Sequence, residues 1–236
     1  MSNSYFRFKR FTVYQERCAM KVGTDGTLLG AWAEGGERIL DIGTGTGLIA
    51  LMMAQRFPVS QVDAIDIDVD ACTQAAENAS ASPFFSQIKV GNVSLQDFSS
   101  GKGDVKYDSV VCNPPFFENS LGSPDEKRHM ARHSSALGFG DLFAGVRRII
   151  APEGRFSAVV PVGSYDSFDA EARLRGFRCS RKTALRTVPR KSPRRLLLEY
   201  MIDFAGECVS EEETIQNADG SNSEWYKSLT SEFYLK

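Results

Sequence analysis

A chain of 236 residues with 42% apolar and 25% charged side chains has the balance of one packed α/β domain with decorations, which excludes disordered, collagen-like and coiled-coil organisation. No run reaches the roughly 18 apolar residues of a membrane span, and the basic start Tyr5-Phe6-Arg7-Phe8-Lys9-Arg10 leads into no apolar signal segment, so a cytoplasmic location away from membranes is expected. The net charge of −2 conceals an asymmetry: residues 173–195 hold ten Arg/Lys and no Asp/Glu, leaving about −12 on the rest.

Strand-like runs of short, apolar, β-branched character fall at 38–41, 61–66, 87–90, 109–112, 155–160 and 196–204. Between them, 47–57, 68–79 and 140–150 carry helical periodicity, the last with Leu142, Val146 and Ile149 on one face. Alternation of β and α units predicts a doubly wound, mostly parallel sheet. A two-proline turn (Val188-Pro189-Arg190-Lys191-Ser192-Pro193) precedes the last strand, and an acidic Ser/Asn-rich connector over 207–223 leads to a final helix ending at Phe233-Tyr234-Leu235-Lys236. The expected organisation is a single domain over 1–236, with a cap segment at 1–37, a core at 38–206 and a connector plus helix at 207–236. Cys18, Cys72, Cys112, Cys179 and Cys208 are odd in number and never arranged as C-x-x-C, which predicts reduced, mostly buried thiols and no cysteine-rich zinc site.

The first core strand ends in Asp41-Ile42-Gly43-Thr44-Gly45-Thr46-Gly47, directly before a helix. Glycines there let the backbone turn tightly and approach a ligand above the helix N-terminus. Position 48 is Leu48, so the dinucleotide fingerprint is absent, and acid-x-G-x-G-x-G is instead the pattern of S-adenosylmethionine enzymes. Asp66, with Ile67 beside it, ends the second strand, where a carboxylate can accept both ribose hydroxyls of an adenosine. Asn92 and Val93 end the third, within reach of the adenine ring. A tight turn with Asp66 and Asn92 as capping and turn residues is the competing reading.

The fourth strand stops at Asn113-Pro114-Pro115-Phe116, beyond the carboxyl edge where doubly wound sheets bind ligands. A planar exocyclic amine is a poor nucleophile because its lone pair is delocalised. The Asn113 side-chain carbonyl and the Pro114 main-chain carbonyl can accept its two N–H groups and localise that pair toward a sulfonium methyl, while Pro115 stiffens the turn. Phe116 offers a stacking surface for an extruded base.

With these motifs together the chain resembles the amino-methyltransferases of the N-P-P-[YF] group. Arg17-Cys18-Ala19-Met20-Lys21-Val22-Gly23-Thr24-Asp25-Gly26, then Leu28-Leu29-Gly30-Ala31-Trp32-Ala33, and 223–235 (SEWYKSLTSEFYL) are similar to the two ends of the bacterial tRNA1(Val) adenine-37 N6-methyltransferases. That resemblance implies a seven-stranded Rossmann-like sheet with an antiparallel final hairpin, S-adenosylmethionine as donor, and an adenine of tRNA as target. It also implies that Lys21 and Asp25 lie near the methionine end of the donor, with a turn in which Asp25 caps the next helix as the alternative. Phe116 stands where tyrosine is commoner, and Asn92 where aspartate is.

Within the basic segment, Arg186, Arg190, Lys191, Arg194 and Arg195 are the candidates for RNA phosphates, with a solvated charged face as the alternative. Phe6-Arg7-Phe8-Lys9-Arg10-Phe11 interleaves aromatic and basic residues as single-stranded RNA surfaces do, although core packing is favoured. His129 and His133 stand four apart, but Met130 replaces the general-base Glu and Arg128 and Arg132 would repel a cation, so no metal is expected. Residues 118–135 are a candidate mobile loop over the target base. Glutamine N5-methylation of a protein and guanine N2-methylation of rRNA are the alternatives. Only 40 residues precede Asp41, too few for the helical substrate domain of the glutamine enzymes. No obligate protein partner is expected.

Overall fold

The computed structural model describes residues 3–18, 20–101, 103–114 and 137–235. Ten strands and seven helices are found among them: β1 (Tyr5–Arg7), β2 (Thr12–Tyr14), α1 (Thr24–Trp32), β3 (Arg38–Ile42), α2 (Leu48–Arg56), β4 (Gln61–Asp66), α3 (Val69–Ser80), β5 (Ile88–Asn92), α4 (Leu95–Gly101), β6 (Tyr107–Cys112), α5 (Phe139–Ile149), β7 (Ile150–Pro161), α6 (Tyr165–Leu174), β8 (Phe177–Arg186), β9 (Arg195–Ile202), β10 (Val209–Thr214) and α7 (Glu224–Thr230). Strands β1 and β2 form a small antiparallel hairpin, and the other eight form one sheet in the order β10-β8-β9-β7-β6-β3-β4-β5. Within this sheet β9 pairs antiparallel with both β7 and β8, and every other pair is parallel. The doubly wound sheet and its closing antiparallel hairpin therefore match expectation.

The sheet is covered on both faces. One face buries Leu28, Leu29, Ile49, Met52 and Met53 of α1 and α2 with Phe8 and Phe11 of the hairpin turn. The other buries Leu142, Phe143, Val146 and Ile149 of α5 against Phe156, Phe168, Phe177 and Tyr200. Side chains thus enter the core from both sides of β3, β6 and β7, which is why those strands read as continuous apolar runs. The aromatic residues of the N-terminal segment pack as a core element, since Phe8 stacks on Phe11 at 4.8 Å and on Tyr234 at 5.8 Å.

Three boundaries differ from the sequence expectation. Strand β10 occupies part of the expected connector, adding its backbone in parallel to β8 as an eighth strand. The last helix stops at Thr230 because the chain turns there; the Phe233 and Tyr234 N–H groups donate to the Thr230 carbonyl, and the Phe233 carbonyl accepts from Lys9 N. Strand β9 ends at Ile202 because Asp203 takes a left-handed conformation with φ of 50°. Cys18, Cys72 and Cys112 are buried thiols, whereas the exposed Cys208 sulfur lies 3.4 Å from that of Cys179.

Candidate functional site

The carboxyl edge of the parallel strands brings the predicted motifs into one line. Ile42 pairs with Cys112 on one side and Ile65 on the other, and Asp66 pairs with Asn92. Consequently Asn113, the Gly43 to Gly47 loop, Asp66 and Asn92 follow one another across β6, β3, β4 and β5. Residues far apart in the chain share one rim because parallel strands all end on the same side.

The loop conformation needs its glycines. Gly43, Gly45 and Gly47 have φ of 68°, 53° and 80°. A Cβ at Gly47 would also stand 3.3 Å from Ala75 Cβ on α3, whereas a Cβ at Gly43 or Gly45 would meet nothing within 4 Å. The first glycine pair therefore borders open space, and the third lets two helices approach. The loop is tied to β4 by Gly43 and Thr44 N–H groups, both donating to the Ile65 carbonyl at 2.8 and 3.0 Å.

Asp41 lies beneath the loop, completely buried. Its Oδ2 accepts from the Thr44 hydroxyl at 2.6 Å and from Ala50 N at 3.2 Å, while Oδ1 has no partner among the described residues. Burial pushes the carboxyl up to about 7, against the lowering effect of the Thr44 and Ala50 bonds. Asp66 is only partly buried. Its Oδ2 accepts from Gly45 N at 2.9 Å and its Oδ1 from Asp68 N at 3.0 Å, so each oxygen keeps capacity for another donor. Asn92 turns its amide nitrogen to the Asp66 carbonyl at 3.1 Å, which leaves the amide oxygen as an exposed acceptor. The Val93 N–H is already used by the same carbonyl at 3.0 Å, and Ile67 presents an apolar surface that is 51% exposed.

Asn113 is half-buried, and its amide nitrogen faces Met20 Sδ at 3.9 Å. That orientation leaves its oxygen available. Gly26 in the first turn of α1 comes so near that a Cβ there would be 4.0 Å from Asn113 Nδ2. Both Met20 and Gly26 belong to the 17–26 stretch, whose resemblance gave neither a role of its own at Asn113. Pro114 is buried beside Asn113, while Pro115, Phe116, His129, His133 and the 118–135 loop lie outside the described residues. Among the described residues no group of three or more His, Cys, Asp or Glu could hold a metal ion.

Lys21 is exposed on the segment leading into α1. Asp25, expected over the donor, accepts from Arg195 Nε at 2.8 Å and so binds β9. The opposite end of α1 is clamped as well, with Arg181 3.7 Å above the Trp32 ring and bonded to Glu199, and the Trp32 N–H donating to Thr183 at 3.2 Å. The basic segment is therefore not uniform. Arg173, Arg175, Arg181, Arg186 and Arg195 pair with Asp169, Glu171, Glu199, Glu212 and Asp25. Arg190, Lys191 and Arg194 are exposed and have no carboxylate partner among the described residues. For Arg186 the reason is β10, whose Glu212 no sequence pattern places beside it.

The methyltransferase small domain family model matches residues 24–137. The chain is 45% identical over 238 residues to the tRNA1(Val) (adenine(37)-N6)-methyltransferase of Parabacteroides distasonis, covering all of both chains. It is 46% identical over 237 residues to the protein of the same name from Phocaeicola vulgatus, covering all of this chain and 99% of that one. Among solved structures, a predicted O-methyltransferase from Agrobacterium tumefaciens superimposes with a TM-score of 0.66 at 16% identity, covering 89% of this chain and 96% of that one, a likeness of fold.

Proposed function

Because the chain belongs to the tRNA1(Val) (adenine(37)-N6)-methyltransferase family, we propose that it transfers a methyl group from S-adenosylmethionine to the exocyclic N6 of an adenine in tRNA, position 37 of tRNA1(Val) being the expected target, in the cytoplasm. The observation that carries this reading is the placement of Asn113 on the strand end directly beside the positive-φ glycine loop.

The residues fit the donor. Gly43 and Gly45 border open space that any Cβ would enter. Asp66 retains one lone pair per oxygen for two ribose hydroxyls, and Asn92 an exposed acceptor for an adenine amine. Thr44 and Gly47 shape the loop, Ile67 and Val93 flank the base, and Lys21 stands at the methionine side. When bound, the donor supplies an electrophilic methyl group on a positively charged sulfur.

At the target, the Asn113 side-chain oxygen and the Pro114 carbonyl accept the two N–H bonds of the adenine amine. This draws the nitrogen out of conjugation and points its lone pair at the incoming methyl. Positive charge would pass from sulfur to nitrogen with the methyl group, so no new charge would be created, and the methylated amine would be acidic enough to release a proton to water. No general base is required. Phe116 and Pro115 complete the tetrad as stacking surface and stiffener. Arg190, Lys191 and Arg194 are the cations left for phosphates.

The test is transfer from isotopically labelled S-adenosylmethionine to tRNA transcripts, followed by mass-spectrometric nucleoside analysis. N6-methyladenosine at position 37 is expected. Label appearing only in rRNA guanine or in a protein glutamine would replace this reading.

A further inference from the structure

The carboxyl edge is longer than a donor needs. Beyond Asn113 it continues over the end of β7, the start of β9 and the ends of β8 and β10, since Pro161 pairs with Arg195, Arg195 with Leu185, and Arg186 with Thr214. Along this half runs a groove of about 1210 Å³, walled by the start of α1 on one side and by 215–222 and the C-terminal turn on the other. It exceeds the roughly 300–1,000 Å³ typical of a site for one small molecule. Of the residues expected around the donor, Asp25 alone lines it, and its carboxylate is taken up by Arg195. Yet it begins next to the target site, because Asp25 lines it and the following residue, Gly26, is the one that approaches Asn113.

Its lining combines three chemistries. Arg194 is exposed at the rim, on the same turn as the exposed Arg190 and Lys191. Gln216 and Asn222, joined by an isolated backbone bridge, present side-chain amides that hydrogen-bond to nothing among the described residues. Tyr234 supplies an aromatic wall, held in place by Phe8 and by a 3.3 Å contact between its hydroxyl and that of Tyr226. Arg195, by contrast, is held by Asp25 and helps form the floor.

Cations suit phosphates, aromatic surfaces suit unstacked bases, and free amides can bond the edges of bases in pairs. A single-stranded nucleic-acid segment uses all three at once. Resting on the tRNA reading above, we propose that this groove binds the nucleotides adjoining the target adenosine, and that Gln216 and Asn222 read their base edges and so determine the sequence context in which the adenine is methylated. The anticodon loop would then enter along the β7–β10 half of the edge while the donor occupies the β3–β5 half, with Asn113 between them.

The experiment uses the full chain, an anticodon stem-loop RNA and a set of loops changed at single nucleotides beside the target. Gln216→Ala, Asn222→Ala and the double variant are compared with wild type by kcat/KM on each RNA, with S-adenosylhomocysteine affinity and melting temperature as checks on the fold. Both side chains lie outside the core, so folding is retained. Wild type is expected to prefer the natural loop, and the double variant to lose roughly 10-fold or more of that preference while binding S-adenosylhomocysteine as before. An unchanged preference in the double variant overturns the groove assignment but leaves the tRNA reading standing, and so does a wild type that methylates the stem-loop without regard to neighbouring nucleotides. A wild type that methylates no RNA, and instead modifies a protein glutamine, overturns both.

Discussion

The carboxylate of Asp66 accepts the Gly45 N–H at 2.9 Å, so the strand end expected to hold the ribose also fixes the middle of the glycine loop. One side chain thus sets the shape of two walls of the proposed donor site. S-adenosylhomocysteine at about 100 times its Kd should stabilise the protein by about 2.7 kcal/mol, or roughly 5–10 °C for a chain of this size. In Asp66→Ala both hydroxyl bonds and the loop tether disappear, and the shift measured by thermal denaturation should fall below about 2 °C. A full shift in that variant, or an equal shift with NAD in wild type, contradicts the donor assignment.

Asn113 separates chemistry from donor binding. The bond proposed from Asn113 to the adenine amine would matter chiefly as the nitrogen becomes pyramidal, so Asn113→Ala should lower kcat by about 10²-fold or more while S-adenosylhomocysteine affinity stays within a few-fold. Turnover at wild-type rate would assign lone-pair localisation to another group.

Asp41 predicts a pH dependence in the free protein. Its folded carboxyl is raised from 3.8 to about 7 by burial. The stability this group contributes is therefore complete below about pH 4 and is lost as the pH rises through 7, because the unfolded chain releases the proton first. Melting temperatures recorded from about pH 4 to 8 should show this decline in wild type and a flatter profile in Asp41→Asn, which should also be the more stable of the two at the upper end. Identical profiles would place the charge of Asp41 in a better-solvated setting than its burial indicates.

The basic segment yields a salt prediction narrowed by its ion pairs. Substituting Ser for Arg190, Lys191 and Arg194 removes only cations that lack an acidic partner among the described residues. The slope of log affinity for tRNA against log salt should flatten by about one unit for each phosphate no longer neutralised, with donor binding unaffected. Substituting Arg195 instead breaks its bond to Asp25 and should disturb α1, so it is a poor probe of phosphate binding. An unaltered slope in the triple variant would make that turn a solvated face.

Much of the fold is readable in the residues, and what escapes has physical causes. Strands buried on both faces, such as β3 and β6, announce themselves as apolar runs, and α5 by buried residues on one stripe. Helix α1 hides because seven of its nine residues are buried, leaving no polar face to give a period. Helix α6 hides for the opposite reason, burying only Phe168 and Ala172. Strand β10 is written Val-Ser-Glu-Glu-Glu-Thr and is held by backbone pairing to β8, a bond to which side-chain pattern is blind. At the site, glycines and strand-end acids are legible because a ligand fold needs those residue types there. The opposite groove is not, since it is assembled from α1, the β8–β9 turn and the C-terminal segment, which share nothing but position.

Strand β10 also closes an edge of the sheet. Without it, β8 would offer a free row of N–H and C=O groups to any passing strand. The replacement edge is short and carries Glu211 and Glu213 beside the Arg186-paired Glu212, so a second copy that tried to extend the sheet would set carboxylates against carboxylates. The same negative fringe repels a polyanion, which discourages RNA from lying along the sheet margin and steers it toward the rim where Arg190, Lys191 and Arg194 stand.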